Sequence, residues 1–272
     1  MSDADISIDE KRVYGAKTGA SDVYLASAAG VIRVSVSGDR IGGFGLAHRC
    51  VARDVAAGGE VAAAATDDGV ALSTEEREFD DVGFGPAAAV GLHEGHVVAA
   101  APEGRVARLD PVDGGGVAWT DLGTVEDPRA VDGGLVAAAD GVHRVVGDDL
   151  ASAGLSDVRD VAGRGLPLAA TPEGLYALGN GWMDAAAGAF SVVDSDGDRA
   201  HAAGEPGLLA RAGAGDDWEP VDLPTDGEVV GITYGPEQVI VATREGEVLA
   251  DAGDGWRSQL IGARDVSAVA VR

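Results

Sequence analysis

A motif of roughly 36 residues recurs seven times along the chain, and this repetition constrains the fold more than any other feature of the sequence. Each copy has an apolar run, one to three small or polar residues, a glycine and a second apolar run. The marker glycines are 33 to 39 residues apart. The copies span residues 24–34, 62–72, 97–109, 135–145, 167–178, 200–210 and 239–250, with marker glycines Gly30, Gly69, Gly104, Gly141, Gly174, Gly207 and Gly246.

The first and last copies align without a gap. Residues 13–34 lie over residues 229–250 at an offset of 216 residues, which is six steps of 36. Three glycines then coincide in the two segments: Gly15, Gly19 and Gly30 with Gly231, Gly235 and Gly246. The copies therefore represent one structural unit that is used seven times.

Each copy is predicted to contain four short strands, because its apolar runs are brief and lack the periodicity of helices. The turn at the marker glycine predicts a hairpin in which that glycine has a positive φ. Seven such units are typical of a β-propeller. The sequence thus predicts an all-β fold, a seven-bladed β-propeller of four-stranded antiparallel blades. We expect a single domain over residues 1–272, in which residues 1–11 can be a flexible tail.

Two segments compete for the innermost position of the first blade. Residues 263–272 repeat the inner-strand pattern of residues 50–58, and no hairpin follows them. Residues 12–18 also resemble an inner strand. We predict that the C-terminal segment, 264–272, returns to the first blade and closes the ring.

The chain is strongly acidic, with a formal charge of −26 from 46 acidic and 20 basic residues. The lysines are confined to Lys11 and Lys17. A folded protein of this kind is expected in a halophilic cytoplasm, where salt screens the repulsion between carboxylates. Because no basic stripe is present, we do not expect a nucleic-acid surface.

Cys50 is the single cysteine, so the chain cannot form an internal disulfide or a thiolate metal cluster. The first residues, MSDADISIDEKR, lack the apolar segment of a signal peptide. No run of about 20 apolar residues is present to span a membrane. We therefore expect a soluble cytoplasmic monomer with no membrane partner.

Four tryptophans follow glycine-rich turns at corresponding places in the repeats: Trp119, Trp182, Trp218 and Trp256. In the last of them, Asp251, Gly253 and Trp256 have the spacing D-x-G-x-x-W. This segment resembles the Asp-box of BNR-like propellers, and the resemblance implies that the aspartate ties down the loop while the tryptophan packs between strands. Glycine replaces that aspartate before Trp119 and Trp218, and the loop before Trp182 is shorter.

The BNR-like group includes sialidases, sortilin-type receptors and photosystem assembly factors, so this resemblance does not select a function. The arginine triad, tyrosine nucleophile and acidic aspartate of a sialidase cannot be placed on these repeats. With its extreme acidity, the chain also resembles a β-propeller family of haloarchaea, distantly similar to WD- and YVTN-like propellers. That second resemblance implies a cytoplasmic propeller and no particular reaction.

An Arg-x-Val pattern occurs at the start of four predicted inner strands, at Arg53, Arg129, Arg159 and Arg264. Inner strands line the central channel of a propeller, so these arginines can form a cationic ring at one mouth that binds phosphate or carboxylate. In the commoner alternative, each arginine pairs with a nearby aspartate and braces adjacent blades.

Three other segments contain residue types that are used in catalysis or metal binding. His48 and Cys50 share a strand face, but a buried cysteine at a blade junction is the favoured interpretation. His93 and His96 flank a glycine turn without a third ligand, which favours a surface turn. Residues 194–198 begin like a calcium loop but lack its final acidic ligand, which favours an acidic turn. We predict no catalytic residue, no metal site and no cofactor.

The leading functional hypothesis is a non-catalytic interaction scaffold that presents one loop-rich face to another protein. The alternative is a hydrolase or lyase whose site lies at the arginine-lined channel mouth. Binding of a small anion at the same mouth is a third hypothesis.

Overall fold

A computed structural model describes residues 20–74, 78–112 and 116–272. Its strands form seven four-stranded antiparallel sheets. Within these residues no helix has the length and apolar character needed to cross a membrane.

The sheets follow one another as the blades of a ring, and each blade except the first is built from four consecutive strands. Blade 1 contains β1 (Ala20–Ser27), β2 (Gly30–Ser37) and β3 (Arg40–His48). Blade 2 is β4 (Ala52–Gly58), β5 (Val61–Thr66), β6 (Val70–Ser73) and β7 (Phe79–Asp81). Blade 3 is β8 (Ala89–His93), β9 (His96–Ala100), β10 (Arg105–Val112) and β11 (Gly116–Thr124). Blade 4 is β12 (Pro128–Asp132), β13 (Leu135–Ala138), β14 (Gly141–Val146) and β15 (Asp149–Gly154).

The remaining blades have the same construction. Blade 5 is β16 (Asp160–Ala162), β17 (Leu168–Ala170), β18 (Gly174–Leu178) and β19 (Trp182–Ala187). Blade 6 is β20 (Phe190–Ser195), β21 (Ala200–Gly204), β22 (Gly207–Arg211) and β23 (Glu219–Val221). Blade 7 is β24 (Val229–Tyr234), β25 (Val239–Thr243), β26 (Glu247–Asp251) and β27 (Arg257–Leu260), and the chain ends in β28 (Val266–Val271).

The ring is closed by the last strand, as predicted. β28 pairs antiparallel with β1 and becomes the inner strand of blade 1, with Val271 opposite Val23 and Ala268 opposite Ala26. The competing segment, residues 12–18, lies outside the described residues, as does the predicted tail of residues 1–11.

Several marker glycines lie where the chain at or just after the outer strand crosses the central hairpin of the same blade. A Cβ atom on Gly30 would lie 2.0 Å from the carbonyl oxygen of His48, and one on Gly246 would lie 2.3 Å from that of Ala263. Both glycines also have the predicted positive φ, of 133° and 82°. The prediction is wrong for Gly69 and Gly174, which are not in the left-handed region. A positive φ thus accounts for five of the seven marker glycines, and a close backbone approach adds to it at Gly30, Gly104, Gly141 and Gly246.

The core lies between blades, because each sheet has apolar side chains on both faces. Blade 1 contributes Ile32 and Val34 to a cluster with Ile240 and Val248 of blade 7. Small side chains allow this close stacking, and the buried residues of β5 are mainly alanines, from Ala62 to Ala65. A single blade therefore cannot bury its own apolar surface without both neighbours.

The Asp-box resemblance is confirmed in blade 7. The Asp251 carboxylate accepts hydrogen bonds from the backbone N–H groups of Gly253 (2.7 Å) and Gly255 (3.1 Å), which fixes the loop between β26 and β27. Trp256 then packs on a cluster that contains Val229 and Leu249.

Two other tryptophans connect adjacent blades directly. The indole N–H of Trp119 in blade 3 donates to the carbonyl of Val82, which follows blade 2, over 2.9 Å. The indole of Trp182 in blade 5 donates to the carbonyl of Ala153 in blade 4, over 2.8 Å. The repeated tryptophan thus has a structural role.

Gly91 marks a close approach between two inner strands and provides a test of blade packing. A Cβ atom here would lie 2.3 Å from the carbonyl oxygen of Val131 in the next blade. We expect Gly91→Ala to separate β8 from β12 and to lower the free energy of unfolding by about 1–3 kcal/mol. The measurement is denaturant unfolding at constant salt.

The matched control is Gly43→Ala, since a Cβ atom on Gly43 meets nothing within 4 Å. This change should leave the denaturation midpoint unchanged or slightly higher. Equal midpoints for the two variants would contradict the tight contact between β8 and β12.

Candidate functional site

The inner strands of all seven blades enclose a central channel with a cavity of about 590 Å³. These strands run in the same direction along the channel, so their first residues lie at one mouth and their last residues near the other. Three of the four predicted arginines, Arg53, Arg129 and Arg159, line the cavity.

Arg264 is exposed and is not part of the cavity wall. The reason is strand register. Val266 lies opposite Ser27 in blade 1, in the place that Ala52 occupies opposite Thr66 in blade 2. Arg264 therefore precedes its strand, whereas Arg53 follows the first paired residue of β4.

The backbone gives a second indication of this shift. Asp265 has a φ of 52°, matching the 50° of Asp127 and Asp157, which come just before the inner strands of blades 4 and 5. Asp265 is thus equivalent to these loop aspartates, although the sequence Arg-Asp-Val suggests an equivalence with Asp54.

Two of the channel arginines are engaged in ion pairs. Arg53 donates two hydrogen bonds to Asp67 of its own blade, over 2.6 and 2.8 Å. Arg129 contacts Asp127 and also reaches Asp157 before the next blade, over 2.6 Å. Arg129 therefore fits the alternative in which the arginine pairs with nearby aspartates and braces adjacent blades.

Arg159 differs from the other two. It is exposed, and within residues 20–74, 78–112 and 116–272 no carboxylate forms an ion pair with it. It also lines a second cavity of about 640 Å³, formed by residues 203–208 and 220–229 of blades 6 and 7. Arg159 is therefore a cation at the junction of two cavities.

The channel wall also contains aspartates, among them Asp54, Asp132, Asp160 and Asp194, of which only Asp194 belongs to a segment considered as a candidate site from the sequence. Asp54 accepts hydrogen bonds from the N–H groups of Val55 (2.8 Å) and of Val90 in the next blade (2.9 Å). An inner strand is an edge strand, so its outward N–H groups need acceptors from outside its own sheet. Asp54 provides one and thereby links blade 2 to blade 3.

The same arrangement recurs between blades 5 and 6. Asp160 accepts hydrogen bonds from Val161 (2.9 Å) and from Val193 of the next blade (2.8 Å). Between blades 4 and 5, Asp132 accepts a hydrogen bond from Gly163 over 2.7 Å. These carboxyl groups are interblade clamps.

Burial governs the protonation of the clamps. Loss of solvation raises the pKa of Asp54 to about 7 and that of Asp160 to about 8, although backbone N–H groups partly oppose the rise. Burial also raises the pKa of Asp132 and of Asp194, and the carboxylates of the four aspartates repel one another. The channel wall is therefore less negative near neutral pH than its formal charge.

A sequence signal for these aspartates exists. Asp54, Asp132 and Asp194 are charged residues inside short apolar runs that are covered on both faces. A buried carboxyl group in such a strand requires a specific partner. The Arg-x-Val pattern instead indicated the arginines as the residues of the channel mouth.

Two other sequence candidates have structural surroundings. Cys50 is half-buried and packs on a cluster shared by blades 1 and 2, and burial raises the pKa of its thiol, which disfavours the reactive thiolate. The turn at residues 194–198 is fixed internally, because Asp196 accepts the N–H groups of Asp198 and Arg199.

The third candidate is the pair of histidines at the glycine turn. His96 lies 3.1 Å from Asp110, and both His93 and His96 border a cavity of about 290 Å³. In the part of the chain that the structure describes, no three His, Cys, Asp or Glu side chains are grouped to hold a metal.

The family model described as HVO_0234-like, beta propeller, matches residues 7–272. A search of curated proteins finds no match. Among solved structures, the WD40 β-propeller domain of Doa1 is similar with a TM-score of 0.65 and 13% identity, over 90% of this chain and 89% of that chain. The computationally designed Ika8 protein has a TM-score of 0.61 and 14% identity, over 91% and 90% of the two chains.

A third similar structure is that of YCF48 bound to D1 peptide. Its TM-score is 0.58 and its identity 12%, over 78% of this chain and 84% of that chain. At these identities the likeness concerns the fold alone.

Proposed function

Because the chain belongs to the HVO_0234-like β-propeller family, whose fold is commonly a binding scaffold, we propose that it is a non-catalytic platform for another protein in a halophilic cytoplasm. The docking face in this proposal is the channel mouth at which Arg53, Arg129 and Arg159 lie. The partner contributes an acidic side chain or a terminal carboxylate.

Arg159 is the observation that carries the proposal. Its guanidinium is exposed beside two cavities and has no ion pair within the described residues, whereas Arg53 and Arg129 are held by aspartates. A guanidinium binds a carboxylate through paired hydrogen bonds. The net charge of −26 repels an acidic partner from most of the protein, whereas the Arg159 guanidinium attracts it.

The rigidity of the mouth supports the same function. Asp54 and Asp160 fix the inner strands to their neighbours, and Arg129 braces blade 4 against blade 5. A preformed surface loses little conformational entropy when a partner binds. The solved complex of YCF48 with D1 peptide shows that a propeller of similar fold holds a peptide.

The test is a comparison of captured proteins from the native host at constant molar salt. We expect Arg159→Glu to reduce recovery of the specific partner by roughly 10- to 100-fold, because the change replaces a charge-assisted hydrogen bond with repulsion. Quantitative mass spectrometry measures the ratio, and cross-linking locates the contacting segment of the partner.

The matched control is Arg144→Glu, which changes the net charge equally at an exposed arginine outside both cavities. Its recovered partners should match those of the unmodified protein. Equal recovery with Arg159→Glu, or loss with both variants, would argue against docking at this mouth.

A further inference from the structure

Arg211, at the end of β22, is a buried arginine with few protein contacts. Its side chain lies in blade 6 and the residue is only 5% exposed. The guanidinium lies over the Trp218 ring, 5.3 Å from its centroid, and Nη1 approaches the carbonyl oxygen of Ala214 at 3.4 Å. In the described ranges, no acceptor lies within hydrogen-bond distance of Nε or Nη2.

No negative charge compensates this guanidinium directly. Among the described residues, no carboxylate oxygen lies within ion-pair distance of Arg211, and Tyr234 and Asp216 act on it only through longer-range electrostatics. Burial lowers the pKa of Arg211, the direction expected for a desolvated cation. Arginine keeps its proton in proteins, so the charge needs an external counter-ion.

The two Arg211 atoms without acceptors, Nε and Nη2, indicate where a bound anion would lie. Nε and Nη2 lie on the same edge of the guanidinium and direct their N–H bonds nearly in parallel. One small anion can accept both hydrogen bonds, while Trp218 covers the face of the guanidinium. Because Arg211 is only 5% exposed, a small ion reaches this edge more easily than a carboxylate of a macromolecule.

We propose that Arg211 is a binding site for a small inorganic anion of the size and charge of chloride. The anion accepts hydrogen bonds from Nε and Nη2 and neutralises the buried guanidinium. Because it binds the folded chain and not the unfolded one, it stabilises blade 6. This site is separate from the channel mouth and from the proposed partner surface.

The first experiment compares thermal unfolding in potassium chloride and in potassium gluconate at equal concentration, since gluconate is too large for the site. We expect the Tm of the unmodified protein to be about 2–4 °C lower in gluconate. In Arg211→Met this difference should disappear, because the variant retains the side-chain length without the charge. Arg144→Met, at an exposed arginine, should retain it.

The second experiment uses only the unmodified protein, so it does not depend on the folding of a variant. Crystals grown in bromide should give an anomalous scattering peak beside Nε and Nη2 of Arg211. The absence of a peak there would overturn the proposal, as would an equal gluconate effect in Arg211→Met. A crystal in which Asp216 occupies this edge would also overturn it, because the counter-ion would then be internal.

Discussion

A chain that ends at Ala263 is expected to lose its cooperative thermal transition. The truncation removes β28, whose Val266 and Val269 are buried between blades 7 and 1, together with its ladder to β1. Burial of these two valines alone is worth about 4 kcal/mol. That is a large part of the roughly 5–15 kcal/mol that stabilises a typical domain, and the ladder and the packing against β4 and β24 are lost as well.

The truncated chain should also self-associate, because β1 then exposes an unpaired edge. Circular dichroism melts and light scattering at several protein concentrations measure the two effects. A synthetic peptide of residues 264–272 added in trans should restore the transition, and a scrambled peptide of the same composition should not. A truncated monomer that melts within a few degrees of the full chain would refute closure by β28.

The stability of the full chain is expected to fall between pH 6.5 and 8.5, on the order of 2 kcal/mol in the free energy of unfolding. Asp54 and Asp160 have folded-state pKa values of about 7 and about 8, above the ordinary value near 4. The unfolded chain is fully ionised in this range, while the folded chain still holds both protons at its lower end. The stabilising contribution of these two carboxyl groups is therefore fully present below the ordinary pKa and is lost as the pH rises through 7 and 8.

Groups whose pKa is lowered contribute little to the change in stability within this pH window. Burial lowers the pKa of His201 to about 4, so the folded state excludes a proton that the unfolded histidine binds below about pH 6.5. Its contribution rises with pH and is nearly complete at the start of the window. Carboxylates held by arginines, such as Asp110 with a pKa of about 2, change stability only in acid.

The double variant Asp54→Asn/Asp160→Asn should show a much flatter pH dependence, since asparagine cannot ionise. It should be less stable than the unmodified protein at pH 6.5, because its amide group cannot accept the second backbone N–H bond. Asp80→Asn is the matched control at an exposed carboxyl group, and its curve should parallel that of the unmodified protein. Parallel curves for all three proteins would mean that the channel carboxyls are ionised throughout.

The fold could be predicted because every repeat contains the same local pattern of apolar runs and turns. The apolar runs predict the strands. The marker glycines predict the turns between them, and at Gly30 a Cβ atom would collide with the backbone of the outer strand. Ring closure was predictable because residues 263–272 resemble an inner strand that lacks its own hairpin.

The candidate site was less predictable because it depends on contacts between distant residues. The partner of Asp54 is Val90, 36 residues further along the chain, and no local pattern specifies that hydrogen bond. The position of Arg264 was equally hard to predict. Its local sequence resembles that of Arg53, but its position depends on the pairing of Val266 with Ser27 at the other end of the described chain.

The pairing of β28 with β1 has a consequence for biosynthesis. The ribosome makes β1 first and β28 last, so the first blade obtains its inner strand only after the remaining six blades have been translated. Contacts between residues so far apart in the sequence form slowly. Until they form, the unpaired edge of β1 can pair with a wrong strand. The ring therefore completes its folding only after β28 has been synthesised, and the edge of β1 must remain unpaired until then.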